Sequence, residues 1–111
     1  MATISNLYVD AGATYSNIIT VTASNGQALN LTGYSVASQM RKSYQSSTAY
    51  DFTASIYDAN NGKIRLQLTD SDSAEIPAGR WLYDVEITSA GGTKTRVVEG
   101  IVTVNPQITQ I

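Results

Sequence analysis

Apolar and polar residues alternate with a period of two along most of this chain, and helical spacing is nearly absent. Tyr15, Asn17, Ile19 and Val21 alternate with Ser16, Ile18, Thr20 and Thr22. Tyr34, Val36, Ser38 and Met40 alternate with Ser35, Ala37, Gln39 and Arg41. Phe52, Ala54 and Ile56 form another apolar row. Ile64, Leu66 and Leu68 alternate with Lys63, Arg65 and Gln67, and Trp81, Tyr83, Val85 and Ile87 oppose Leu82, Asp84, Glu86 and Thr88. A strand sends successive side chains to opposite faces, so each run predicts a half-buried strand. The runs are also rich in the β-branched and aromatic residues that fit a pleated surface. Between them, Asn25-Gly26, Asn61-Gly62 and Gly91-Gly92 supply the positive φ that hairpin turns need, and Thr32-Gly33 and Pro77-Ala78-Gly79 mark further breaks. About seven to eight strands at this spacing predict an all-β sandwich or barrel. Its core is expected to hold Phe52, Ile56, Ile64, Leu66, Leu68, Trp81, Val85 and Ile87.

One helical candidate interrupts the strands. Residues 70–76 start with a good N-cap and acids in the first turn, and Pro77 limits the helix to about one turn. A strand, a one-turn crossover and then an aromatic-bearing strand is also the order at one corner of immunoglobulin-like sandwiches. The Ser-rich segment 43–47 reads as a loop.

Length confines these elements to one domain, because 111 residues leave no room for a second core. The hydrophobic share, 42%, is enough for compact folding. Charged residues make up only 14% and the net charge is −2, so the surface is mostly uncharged and polar. Such a surface offers no electrostatic footprint for nucleic acid or anionic membrane, and Arg41-Lys42 is the one adjacent basic pair. The chain has no Cys and no His, which removes disulfides, thiolate sites, most zinc sites and His-dependent triads. The N-terminus lacks the pattern of a secretion signal, and no apolar run approaches a membrane span. A soluble, complete short gene product made in a cytoplasm is the expectation.

Candidate chemistry concentrates in residues 76–106. Asp84, Glu86 and Glu99 lie close together there, among Trp81, Tyr83 and Val85. A three-residue loop at Ala90, Gly91 and Gly92 would set Glu86 opposite Arg96, Thr88 opposite Lys94 and Val85 opposite Val97. Val97-Val98 breaks the alternation and predicts a β-bulge, which leaves the direction of Glu99 open. Catalytic carboxylates need a cleft and unequal environments. Alternating positions on one hairpin supply neither, so these acids read as the wet face of a sheet. Asp70, Asp72 and Glu75 lack the spacing of a calcium loop and read as helix-capping acids. Asn30-Leu31-Thr32 fits a glycosylation acceptor but has no secretory context. No catalytic, cofactor or metal residue is expected. Among the seven tyrosines, Tyr44 and Tyr50 flank the Ser-rich loop beside Arg41 and Lys42, and these four are candidate partner contacts. Ile108 and Ile111 join them, as apolar residues beyond the last strand.

Three segments then carry a family likeness. In order, "ALNLTGYSVASQMRKS", "GKIRLQLTDSDSAEIPAGRWLYDVEI" and "GGTKTRVVEGIVTVNPQIT" resemble a structural domain of tailed bacteriophages. That family carries "DLTGY…R", then "G.I.L.LT…T..IPAG.Y.YDVE", then "G…L.EG.V.V.P.VT". The chain is similar to the N-terminal domain of phage baseplate upper proteins and to short virion proteins of contractile-tailed phages, including those of cyanobacteria. The likeness covers residues 7–109. It departs at Asn30, where Asp is frequent, and at Trp81, where Tyr is usual. The resemblance implies a single immunoglobulin-like β-sandwich over 1–111; with its core at about 7–104, the under-packed end segments 1–6 and 105–111 are expected as assembly arms. It further implies a non-enzymatic virion subunit that contacts other virion proteins, in the tail or baseplate or as a fibre-attachment adaptor. Decoration of the capsid and binding of carbohydrate or host surface are the alternatives.

Overall fold

The computed structural model describes residues 3–23, 26–43, 45 and 48–106. Their strands are β1 (Thr3–Ile4), β2 (Leu7–Asp10), β3 (Tyr15–Thr20), β4 (Ser35–Arg41), β5 (Ala49–Asp58), β6 (Lys63–Leu68), β7 (Gly79–Thr88) and β8 (Lys94–Asn105). The one α-helix is α1 (Asp70–Ala74), and a 3-10 turn spans Ala59–Asn61. The fold is therefore all-β, as the alternation predicts.

The strands form one continuous curled sheet, ordered β1-β8-β7-β4-β5-β6-β3, with β2 also paired to β8. The curl runs through β5. Its first residues, Ala49–Phe52, pair with β4, whereas its remainder from Thr53 pairs with β6. The apolar faces of the two halves share one core. Phe52 joins them, with its ring centroid 6.0 Å from that of Tyr15 on β3 and 6.1 Å from that of Tyr83 on β7. Seven of the eight expected core residues are fully buried, and Ile56 packs half-buried against them. Leu7, Val9, Leu31, Met40, Val98, Val102 and Val104 complete much of the remainder.

The helix ends two residues earlier than expected. Thr69 is its N-cap and accepts a hydrogen bond from the Asp72 N–H at 3.1 Å, and Glu75 is the C-cap. Ser73 on α1 is fully buried. Its hydroxyl donates to the Ala13 carbonyl at 2.7 Å and accepts from the Gly12 N–H at 3.0 Å, which fastens the β2–β3 connection to the helix. Asn30 accepts from the Thr32 N–H and hydroxyl, at 3.0 and 2.7 Å. Its role is a local turn beside buried Leu31.

The N-terminal strands were not visible in the alternation. β1 and β2 both run parallel to β8, with Thr3 opposite Val98 and Leu7 opposite Val102. Residues 3–6, expected as part of a terminal arm, thus lie docked on their own sheet. Between β1 and β2 the chain crosses Gly100, where the Ser5 N–H donates to the Glu99 carbonyl and Asn6 Oδ1 accepts from the Ile101 N–H. The Tyr83 hydroxyl donates to the Ser5 carbonyl from beneath. Burial pushes that hydroxyl up to about 12. Its folded value lies above the ordinary 10.0, so the associated stability is complete below pH 10.0 and is lost as pH rises through about 12. Chemical denaturation across this window should show falling stability, and Tyr83→Phe should flatten the fall. An equal fall in the variant would assign it to another group.

Candidate functional site

An open groove of about 510 Å³ lies on the outer face of β4, β7 and β8, bordered by the N-terminal strands. Period-two geometry aims Leu82, Asp84 and Glu86 outward from β7 while Trp81, Tyr83 and Val85 face the core. Gln39 and Arg41 line the groove from β4, and Ile4 and Asn6 from the N-terminal side.

A bulge decides what β8 contributes. Register shifts between Val85, which faces Val98, and Glu86, which faces Arg96, so Val97 is the extra residue. The bulge is the one expected, but the facing residue of Val85 is Val98 and not Val97. In an unbroken strand Arg96 and Glu99, three residues apart, would point to opposite faces. The inserted Val97 restores both to the outer face. Arg96 Nε then lies 3.1 Å from Asp84 Oδ2, and its Nη1 lies 3.3 Å from Glu99 Oε2. Asp84 and Glu99 sit directly opposite each other in the ladder. One guanidinium therefore screens two facing carboxylates that would otherwise repel.

Partial burial raises the Asp84 carboxyl above its ordinary value. Arg96 opposes the rise, and Glu86 and Glu99 add to it. A raised carboxyl contributes stability at pH below its ordinary 3.8, and that contribution is lost as pH rises through the folded value. The paired side chains are roughly a third or more exposed, at 30% for Asp84, 45% for Arg96 and 37% for Glu99, so solvent screens them. Asp84→Asn and Glu86→Gln should each change stability at neutral pH by less than about 1 kcal/mol. Equilibrium denaturation checks this, and a larger loss would mean that the cluster is a structural lock.

Arg41 Nη2 donates to Gln39 Oε1 at 3.2 Å, and Gln39 Nε2 donates to Asp51 Oδ1 at 2.7 Å, which extends the polar surface across β4 to β5. The other sequence-selected contacts gather around Trp81, which is 3% exposed. Lys42 Nζ lies 4.9 Å from the indole centroid and donates to the Arg80 carbonyl at 3.2 Å. Half-buried Tyr50 meets the same indole edge-on at 5.3 Å. Tyr44, Ile108 and Ile111 lie outside the described residues. Burial of Trp81 removes it as an aromatic platform for a sugar. Among the described residues, no group of three His, Cys, Asp or Glu is placed to hold a metal ion, and no helix is long and apolar enough to cross a membrane.

Sequence reasoning did not single out Ile4, Tyr8, Ile18 and Tyr57, which are exposed at 73%, 69%, 42% and 52%. Two of them carried a legible signal. Ile18 occupies the polar phase of its alternation, and Tyr57 falls out of phase with Phe52, Ala54 and Ile56.

No family model matches the chain, and no curated protein does. Among solved structures, the N-terminal domain of phage TP901-1 ORF48 is similar with a TM-score of 0.62 at 15% identity, over 91% of this chain and 85% of that one. A Listeria monocytogenes internalin-like protein, lmo2027, gives 0.49 at 13% identity, over 94% of this chain and 28% of that one. AggA, the major subunit of aggregative adherence fimbriae type I from Escherichia coli, gives 0.43 at 12% identity, over 90% and 89%. The latter two likenesses are too loose to support an argument. The first shows that this curled all-β fold is shared with a domain of a phage protein.

Proposed function

We propose that the chain is a non-enzymatic structural subunit of a bacteriophage virion, acting in the tail or baseplate or as a fibre-attachment adaptor. The observation that carries this reading is the match of nearly the whole fold to a phage protein domain. The three ordered sequence segments that resemble phage structural proteins point the same way. The groove chemistry is compatible with it, because an open face whose acids share one arginine suits contact with another protein surface. Arg41 on that face, and Lys42 and Tyr50 around Trp81 on the other side of the sheet, are the proposed contacts with other virion proteins, together with Tyr44 and the 105–111 segment.

Mass spectrometry of purified particles separated into heads and tails tests the assignment. Recovery with tails supports it. Recovery with heads would move the subunit to the capsid surface, and absence from both fractions would overturn a virion role. Deleting residues 106–111 should leave the isolated domain folded and reduce its incorporation. Incorporation at wild-type level would exclude that segment as a contact.

A further inference from the structure

The outer face of β3, β6 and β5 carries two cations, with one acid, Asp58, at its edge, beside exposed apolar surface. Lys63 and Arg65 project from β6, Ile18 from β3 and Tyr57 from β5. The Arg65 guanidinium lies over the Tyr57 ring, 4.5 Å from its centroid, and has no carboxylate partner among the described residues. Its Nε is buried without an acceptor. Lys63 Nζ donates to the Thr20 hydroxyl at 3.3 Å. Asp58, opposite Lys63 in the ladder, accepts from Asn61 Nδ2 at 2.8 Å.

The complementary charge is at the α1 end of the same half of the sheet. Asp70, Asp72 and Glu75 are all exposed, residues 66–79 contain no Lys or Arg, and none of the three acids forms a salt bridge among the described residues. Among the described residues, no salt bridge joins the cations of this face to an acid or the acidic turn to a base.

We propose that the face formed by Ile18, Tyr57, Lys63 and Arg65 docks the acidic α1 turn of a second copy of this chain. The inference rests on the reading of the chain as an assembly subunit and names a partner for it. Exposed ion pairs are individually weak, but covering Tyr57 and Ile18 would remove water from them, and a guanidinium held over an aromatic ring is pre-positioned for a carboxylate. Arg and Tyr are also the residues on which interfaces concentrate their energy. The two patches pair either reciprocally in a two-fold dimer or head to tail in a ring or a filament.

Sedimentation velocity of the full chain at increasing concentration, in low and high salt, tests the contact. Self-association is expected to rise with concentration and to weaken with salt. Arg65→Glu and Glu75→Lys should each weaken it about tenfold or more, and their combination in one chain should restore it. Glu75 is chosen because a cation at a helix C-terminus is tolerated. Tyr57→Ser should weaken association without a change of charge, with unchanged far-UV circular dichroism reporting the fold of every variant. A monomer at every concentration, or association indifferent to both charge reversals, would overturn the proposal. A chain found in particles but monomeric in solution would sink this contact and leave the virion role standing. Charge-sensitive association by a chain absent from particles would do the reverse.

Discussion

Trp81→Ala should be the most damaging single truncation among the residues described. The indole is 3% exposed, its Nε1 donates to the Pro77 carbonyl at 2.9 Å, and it meets the Tyr50 ring edge-on. Removing it abolishes the apolar burial, the aromatic contact and the hydrogen bond, and leaves a cavity that β7 within the sheet cannot close. Truncations of this kind cost about 3–5 kcal/mol, against a total stability of about 5–15 kcal/mol for a domain. The melting temperature should fall by about 10–20 °C, or the variant should fail to accumulate folded. Trp81→Phe keeps much of the burial and loses the bond to Pro77, so it should fall between the two. A melting temperature unchanged in Trp81→Ala would show that the side chain is not a core element and would restore it as a surface platform.

The second large effect is expected at Gly100, for a reason unrelated to cavities. A Cβ at this position would lie far inside van der Waals contact of the Ser5 carbonyl oxygen, 2.9 Å from the Ser5 carbonyl carbon and 3.1 Å from Asn6 Oδ1. Two of these are backbone atoms, so no rotamer change relieves the clash. Either β8 shifts within the sheet or the β1–β2 junction lifts away. Lifting removes the acceptor from the Tyr83 hydroxyl and loosens the strand that buries Leu7 and Val9. Overpacking of this type costs about 1–3 kcal/mol, and Gly100→Ala should sit at the upper end. Hydrogen exchange should locate the damage. Amides of residues 5–9 should lose protection while those of β6 and β7 retain theirs. If those N-terminal amides stay protected, the chain crosses β8 with more room than the structure shows.

Local pattern alone determined much of this protein. The alternating rows placed Trp81, Tyr83, Val85 and Ile87 inward and Asp84 and Glu86 outward, because side-chain direction in a strand has a fixed period set by the backbone. The Ala90-Gly91-Gly92 loop was equally legible. Ser89 pairs with Thr93 across it, and Gly92 has φ 91°, a conformation that side chains other than Gly rarely adopt. The same local chemistry gave the one-turn helix, since a cap and a following proline act within a few residues.

Other features follow from contacts between distant segments, which no local pattern encodes. The bulge at Val97 could be expected, but only pairing with β7 brought Arg96 and Glu99 to one face and onto Asp84. The reason for Gly100 appears only when Ser5 and Asn6 cross it from the other end of the chain. The parallel docking of β1 and β2 on β8 depends on backbone groups far apart in sequence, and four residues are too few for alternation to announce a strand. The passage of β5 from one half of the sheet to the other is likewise invisible in its side chains, because alternation continues unchanged while the pairing strand switches from β4 to β6. Sequence periodicity sets which face a side chain takes, and tertiary structure sets which neighbour that face meets.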